Sequence, residues 1–405
     1  MKKLSLFLAA AAVILPLCLS GCVQYVELSE RVIVQAVGVD YIPDKKVYRV
    51  SMQYFTQSGE GGQNQIDKTQ SNVLKSVGEG SSVYDAAENA SIKTGKDLLF
   101  SENRLIIIGS ELTKYDLESS LEFFIGNLNS HPKAHIAVAY GTAEEIIDIR
   151  FKEGTVSTEK LVNLIVNSEL HGVSPSSCLF DTLISLHSSS RSAYLPLLKV
   201  VEEKTDVTMP PGGSGGGGGQ GGSGGDDEMK EKTVELVGGA AFSGGIGAGE
   251  GSMSDSAGIQ LVNNQTQALS ISTRTDDKSK SATITLFKIN FTTTPTITDG
   301  KLTFKIDGFA LGRFEERIFL AQSDDEGINE IKRNTEQSVV DCVSGAIEKI
   351  KNDYGCDVFG FEKILRHCMP DYWFDNQDNI NEIIRQADVE ISFECQPYIL
   401  GLEDR

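Results

Sequence analysis

The sequence has little positive charge to set against its many acidic side chains. Its 405 residues include 37 Lys and Arg but 57 Asp and Glu, which gives a net charge of −20. A chain this acidic has no electrostatic attraction for polyanions, so nucleic acids and acidic lipid surfaces are not expected as ligands. Beyond residue 22, no apolar run approaches the roughly 20 residues that a membrane-spanning helix needs. The hydrophobic content of 40% is nevertheless ordinary for a folded protein.

Sequence motifs of catalysis and metal binding are also missing. The chain contains neither G-x-S-x-G nor H-E-x-x-H, and its Gly-rich run lacks the Lys-Ser/Thr ending of a phosphate-binding loop. Among the five histidines, His131 and His135 have the i, i+4 spacing that a helix can use for a metal ion. Pro132 lies between them and a predicted strand follows, so we interpret both as surface residues. We therefore predict no enzyme, no metal site and no cofactor.

The first 21 residues have the features of a secretory signal peptide. Two lysines precede an apolar run that ends at Leu19 and is too short to span a hydrocarbon core of about 30 Å. The run leads to Leu19-Ser20-Gly21-Cys22, which resembles a bacterial lipobox, in which the Cys thiol receives a diacylglyceryl group. We predict that residues 1–21 are removed and that Cys22 carries the lipid. The alternative, an ordinary signal peptide with a chance Cys, is disfavoured because small residues fill both positions before it.

The remaining cysteines do not form a metal motif. Five of the seven lie in the body of the chain: Cys178, Cys342, Cys356, Cys368 and Cys395. None is part of a C-x-x-C pair or a Cys-His spacing typical of zinc. Export permits disulfides. Four of the five cysteines fall in the C-terminal stretch, so a disulfide between two of them is an alternative that the sequence leaves open. The odd number leaves at least one thiol free, and we expect most of them to be buried small apolar residues.

One segment of very low complexity divides the chain. From Pro210 to Glu228 the sequence reads PPGGSGGGGGQGGSGGDDE, and such Gly/Ser runs behave as flexible coil because they cannot form a core. The segment either joins two domains or is a long loop inserted at a surface turn, and we favour the first. The predicted organisation is, in order, a signal peptide (1–21), an N-terminal domain (22–205), a Gly/Ser-rich linker or inserted loop (206–232) and a C-terminal domain (233–405).

Hydrophobic patterning predicts a multidomain protein of mixed α/β (α+β) class. In the N-terminal domain strand and helix patterns alternate, with a half-buried strand at 47–54 and a short apolar strand at 105–108, which indicates an α/β domain. In the C-terminal domain, strands at 281–291 and 301–307 precede a long helix over 326–352, and a further strand lies near the end. This order predicts an α+β domain with mainly antiparallel strands and a long helix.

Several short motifs follow one another along the chain. They are Cys22 with Glu27-Leu28, Gly38-Val39-Asp40, FSENRLIIIG at 100–109, Tyr194-Leu195-Pro196, Gly239-Ala240-Ala241-Phe242 and Asp357-Val358-Phe359-Gly360-Phe361. Together these motifs resemble the Ger(x)C family of spore germination lipoproteins, the C subunits of germinant receptors. One departure is Val23-Gln24, where the family usually has Trp-Asp after the lipidated Cys.

The resemblance implies a non-catalytic subunit. Family members are lipid-anchored on the outer face of the inner spore (cytoplasmic) membrane. There they work with an A-type and a polytopic B-type subunit to trigger germination in response to nutrients. For this chain it implies membrane attachment through diacylglyceryl on Cys22, no cofactor and no direct binding of the nutrient. Two other classes stay open. A lipid-tethered solute-binding protein of a transporter would need two similar lobes around a cleft, and a tethered hydrolase would need the motifs that are missing.

Three C-terminal aromatic residues are predicted to belong to the core. Trp373 is the only tryptophan, and Phe359 and Phe361 lie near it in the sequence. Because each large aromatic side chain buries about 150–250 Å², we expect all three to pack under the helix predicted at 326–352. The alternative is an exposed Trp373 that contacts a partner.

Overall fold

Two β-sheets, each packed against helices, organise the protein. The computed structural model describes residues 31–55, 73–126, 130–149, 157–203, 231–320 and 324–398. The predicted signal peptide and Cys22 lie outside these residues. The mixed α/β architecture, with one sheet built mainly from each half of the sequence, confirms the predicted fold class. None of the described helices is both long and apolar enough to cross a membrane.

The first sheet has parallel strands at its centre and antiparallel strands at its edges. Its strands in the described residues are β1 (Arg31–Ile42), β2 (Val47–Phe55), β3 (Val73–Gly80), β4 (Asp97–Leu99), β5 (Leu105–Ile108), β6 (His135–Ala139), β7 (Ala193–Glu203), β8 (Glu231–Ser243) and β9 (Ile246–Gly251). They follow the order β3-β2-β1-β5-β6-β7-β8-β9, and β4 pairs with the start of β1. β1, β5, β6 and β7 run parallel, and parallel neighbours need crossover connections, so strands and helices alternate along this half.

Helices cover both faces of this sheet. They are α1 (Val83–Thr94), α2 (Leu117–Gly126), α3 (Ala143–Ile147), α4 (Ser157–Leu170) and α5 (Leu179–Leu186). The helices α1, α2 and α5 pack on one face, and α3 and α4 pack on the other. All four residues of β5 are buried, which is the reason why this strand reads as an unbroken apolar run in the sequence.

The strand predicted at 47–54 is present, but the expectation that it is half-buried is wrong. Ser51 and Gln53, on the face expected to meet solvent, are 0% and 6% exposed because α3 and α4 cover that face. Gln53 Nε2 donates to the carbonyl oxygen of Ile147 at 3.3 Å, and Gln53 Oε1 accepts from the backbone N–H of Thr158 at 3.2 Å. These partners are 94 and 105 residues away in the sequence, so local periodicity could not indicate them.

The Gly/Ser segment connects two neighbouring strands of one sheet. β7 and β8 pair antiparallel up to Glu203 and Glu231, and residues 204–230 between them lie outside the described residues. β8 and β9 therefore extend the first sheet although they follow the segment in sequence. The domain bounds around 206–232 stay a prediction.

The second sheet is formed by four strands of the described residues. They are β10 (Ala268–Arg274), β11 (Ser281–Thr298), β12 (Lys301–Ile318) and β13 (Asp388–Tyr398), in that spatial order. The first two pairs are antiparallel and the last is parallel. Asp299 and Gly300, with φ of 53° and 78°, link β11 to β12, and Asp-Gly is favoured where both turn residues need positive φ.

The predicted long helix packs on this second sheet. The helices of this half are α6 (Met253–Val262), α7 (Asp325–Ala346), α8 (Phe361–Cys368), α9 (Pro370–Asn376) and α10 (Ile380–Gln386). Asp324 caps the start of α7, because its Oδ1 accepts from the backbone N–H of Gly327 at 3.0 Å. After Ala346 the helix widens into one π-helical stretch, Ile347–Asp353. Ile331, Val339 and Val343 on its inner face are at most 1% exposed.

The core prediction for the three aromatic residues is correct for two of them. Phe359 and Phe361 are 2% and 0% exposed, and the ring centroids of Phe361 and Phe304 are 4.3 Å apart. Trp373 is only half-buried. It belongs to α9, which packs on α8, and the guanidinium of Arg366 lies 5.7 Å from its ring centroid. Trp373 therefore lies at the edge of the core, beside α8 rather than beneath the long helix.

All five cysteines of the described residues are free thiols. The C-terminal disulfide that the sequence left open is absent from the structure. Cys356 and Cys395 are buried as expected, but Cys178 and Cys342 are half-buried and Cys368 is exposed.

Candidate functional site

The residues that the sequence singled out for chemistry do not converge. Cys22 lies outside the described residues, so its lipidation stays a prediction. His131 is exposed in the turn before β6, and His135 is the first residue of β6. His135 Nδ1 lies 3.8 Å from Glu169 Oε1, and burial lowers the pKa of His135. In the described part of the chain, neither histidine belongs to a group of three metal-ligating side chains.

The motif Gly38-Val39-Asp40 builds the junction between β1 and α3. Asp40 is 6% exposed, and its Oδ1 and Oδ2 accept from the backbone N–H groups of Ala143 and Glu144 at 2.7 and 3.0 Å. These are free amides of the first turn of α3, which a carboxylate can cap. Burial raises the pKa of Asp40, and the two amide hydrogen bonds work against that rise.

Two glycines make room for this cap. A Cβ on Gly109 would lie 1.9 Å from Asp40 Oδ1, and a Cβ on Gly38 would lie 3.0 Å from the Cβ of Ala143. A side chain at position 109 would therefore overlap the carboxylate, and one at position 38 would press tightly against α3. The motif consequently has a structural role, because its carboxylate is already fully engaged by the helix.

The C-terminal motif Asp357-Val358-Phe359-Gly360-Phe361 also provides a carboxylate that caps a helix. Asp357 accepts from the backbone N–H groups of Phe361 and Glu362 at 2.9 and 2.8 Å, which caps α8, while Gly360 has a φ of 71°. Burial raises the pKa of Asp357 to about 6. The backbone N–H of Asp357 donates to Ser192 Oγ at 3.1 Å, which ties this cap to the residues that precede β7.

A small polar cleft separates the two halves at this point. It encloses about 330 Å³ between the serine-rich residues before β7 and the start of α8. Hydrogen bonds join the two halves beside it, from Ser189 Oγ to Glu362 Oε1 at 2.8 Å and from Asn381 Nδ2 to the carbonyl oxygen of Ser189 at 3.1 Å. These bonds hold its walls together, so the cleft is part of the contact between the halves.

An apolar groove lies between α1, α2 and α5 and has a volume of about 1050 Å³. Four large apolar side chains line it although they are exposed. Tyr84 of α1, Ile125 of α2, and Phe180 and Ile184 of α5 are 46%, 40%, 52% and 56% exposed. The sequence patterns did not assign any of these residues to a binding surface.

Helix α5 explains why the groove is apolar. Its inner face packs Leu179, Leu183 and Leu186 against the first sheet, and its outer face presents Phe180 and Ile184. Asp181 and Ser185 are also exposed, so Phe180 and Ile184 form an apolar strip on an otherwise polar outer side. This pattern, LFDTLISL, was present in the sequence, and it is the signal that could have indicated the groove.

An acid-histidine cluster lies at the edge of the groove. Ligand atoms of Glu118, Glu122 and His187 lie within 4.8 Å of one another, as a metal site would require. Glu118, however, already accepts from Arg191 Nη2 at 2.7 Å, and His187 Nδ1 lies 3.3 Å from its other oxygen. The positive charge of Arg191 opposes a second cation at this carboxylate. The cluster therefore makes the rim acidic without forming a metal centre.

Comparisons with known proteins agree with this architecture. Residues 24–200 match the family model described as "Spore germination protein N-terminal domain", and residues 237–396 match "Spore germination B3/ GerAC like, C-terminal". Spore germination protein KC of Bacillus subtilis (strain 168) is 25% identical over 215 residues, which are 51% of this chain and 51% of that protein. The match thus spans about half the length of this curated relative.

The fold has also been seen before. The crystal structure of the GerBC protein matches with a TM-score of 0.54 at 15% identity, covering 90% of this chain and 97% of that one. At this identity the likeness concerns the fold alone. The two family models confirm the resemblance found in the sequence: the chain belongs to the Ger(x)C family of spore germination proteins.

Proposed function

We propose that the protein is a lipid-anchored, non-catalytic, extracytoplasmic subunit of a nutrient germinant receptor. In this role it lies on the outer face of the inner spore membrane and assembles with A-type and B-type subunits. One observation carries the proposal: the family match begins at residue 24, two residues after the Cys22 of the lipobox, and a second match covers most of the C-terminal half.

The lipid would act by confining the protein to the membrane. Two acyl chains are needed for stable attachment, because each buried CH₂ contributes about 0.8 kcal/mol and one chain alone binds marginally. Eight residues separate Cys22 from Arg31, the start of β1, so nine residue-to-residue steps span at most about 32 Å. The folded part is therefore held close to the membrane, which raises its effective concentration toward membrane partners without any new contact.

The carboxylates of both family motifs support a non-catalytic role. Asp40 and Asp357 are engaged as helix caps, so neither is free to act on a substrate. The rival of a solute-binding protein would need two similar lobes. The described halves are instead built on sheets of nine and four strands, and hydrogen bonds join the halves beside the cleft.

Replacement of the lipidated cysteine tests the proposal. Cys22→Ala should abolish labelling by a radioactive fatty acid, release the protein from the membrane fraction, and reduce germination to the level of spores that lack the chain. Cys18→Ala is the matched control, because it lies in the same signal segment and leaves Leu19-Ser20-Gly21-Cys22 intact. Undiminished label in Cys22→Ala, or normal germination with unlabelled protein, would contradict the proposal. Calorimetry with amino acids and sugars, on a protein that starts at residue 23, distinguishes the proposed subunit from a solute-binding protein. A solute-binding protein predicts tight binding.

A further inference from the structure

The apolar groove has the properties of a surface that is covered in an assembly. Single exposed apolar residues are ordinary, but a contiguous patch marks an interaction site. Tyr84, Ile125, Phe180 and Ile184 come from three different helices and meet in one groove. Its volume of about 1050 Å³ is at the upper limit of small-molecule pockets, which range from about 300 to 1,000 Å³. A segment of a macromolecule fits this size better than a nutrient does.

The shape of the groove favours a helix as its occupant. Its walls are α1, α2 and α5, and a groove between helices accepts the apolar face of an amphipathic helix through side chains at i, i+3, i+4 and i+7. Phe180 and Ile184 are one helical turn apart, so they form a continuous apolar ridge along one wall.

The charge at the rim favours a basic occupant. Glu122 lines the groove, Glu118 lies beside it, and Glu88 accepts from the hydroxyl of Tyr84 at 2.7 Å. No Lys or Arg of the described residues lines the groove, and the neighbouring Arg191 is bound to Glu118. A partner that brings Lys or Arg to this rim would complement it.

We propose that the apolar groove binds an amphipathic helix of a membrane-associated partner, with Lys or Arg residues that face Glu122, the rim carboxylate that Arg191 does not occupy. This inference rests on the proposed function, which confines such a partner to the same membrane. A second copy of this chain would place the same acidic rim against itself, since symmetric pairing juxtaposes identical patches. An anionic bilayer surface is also disfavoured, because its charge has the same sign as that of the acidic rim.

Site-specific photocrosslinking tests which molecule occupies the groove. A benzophenone amino acid replaces Phe180 in the full-length, lipidated protein in intact spores, and the crosslinked peptide is identified by mass spectrometry. Phe374 is the matched control position, because it is 65% exposed on α9 and does not line the groove. The expected product at position 180, absent at position 374, is a peptide with helical apolar spacing and flanking Lys or Arg.

Charge reversal tests the rim separately. Glu122→Lys should lower the yield of the crosslink at position 180 about tenfold, since a like charge at a docking rim opposes association. Glu122→Gln should lower it less. Glu122 is exposed, so circular dichroism should show that both variants fold normally.

Every other product at position 180 would overturn the inference. These products are a second copy of this chain, a lipid, a nutrient-sized adduct, a peptide without basic residues, or no product beyond that seen at position 374. An undiminished yield with Glu122→Lys would refute the acidic rim as a determinant. The Cys22→Ala experiment gives an independent readout. If label and germination depend on Cys22 while position 180 captures no basic helix, only the groove inference fails.

Discussion

The cap formed by Asp40 offers a demanding test of how the first sheet is held to its helices. Asp40→Ala removes two hydrogen bonds from a buried carboxylate and leaves the backbone N–H groups of Ala143 and Glu144 without that acceptor. A hydrogen bond to a charged group contributes about 1.5–3 kcal/mol, so two contribute about 3–6 kcal/mol. Burial disfavours the charged form of Asp40, as its raised pKa indicates. We therefore expect a loss of stability at the lower end of this range, about 3 kcal/mol.

Urea unfolding followed by circular dichroism measures this loss. Asp40→Asn keeps one side-chain oxygen acceptor and should lose about half as much. Asp44→Ala is the matched control, because Asp44 is an exposed carboxylate in the turn between β1 and β2, and surface changes usually stay within about 0.5 kcal/mol. A loss below about 1 kcal/mol in Asp40→Ala, or one no greater than that of Asp44→Ala, would refute the capping argument.

Two further predictions concern pH and the C-terminal core. Burial raises the pKa of Glu169 from 4.5 to about 7. The folded state therefore binds the extra proton, and the contribution of Glu169 to stability should fall as pH rises from about 4.5 to 7. Glu169→Gln should flatten the change of unfolding free energy with pH and be more stable than the wild type above pH 7 by up to about 3 kcal/mol. Urea unfolding at several pH values measures this, and an unchanged pH dependence would contradict the prediction. Phe361→Ala should cost about 3–5 kcal/mol and half-buried Trp373→Ala clearly less. Thermal unfolding would contradict the core assignment if this order were reversed.

Local signals in the sequence were sufficient for several elements. The apolar run at 105–108 gave the bounds of β5 directly. The long helix and the β11–β12 hairpin were also predicted, although both strands extend further than their alternating cores. These predictions were correct because hydrophobic periodicity, helix caps and turn residues act within a few positions of one another.

Features that depend on distant partners could not be predicted in this way. Asp40 meets α3 103 residues later, so the motif indicated a family but not a helix cap. β10 lies in a polar stretch that resembles a loop, and it becomes a strand because β11 offers it an edge. The half-buried position of Trp373 follows from how α9 packs on α8, which composition does not encode. The apolar groove likewise exists only after three separate helices come together.

The proposed function makes this chain a membrane-tethered subunit of a germinant receptor. Affinity isolation of the tagged, full-length protein from detergent-solubilised spore inner membranes, followed by mass spectrometry, tests it most directly. The account predicts that A-type and B-type receptor subunits co-purify with the wild-type protein and with Cys18→Ala, and that both are lost with Cys22→Ala. Co-purification of transporter permease subunits instead, or recovery of the chain from the membrane with no receptor subunit, would contradict it.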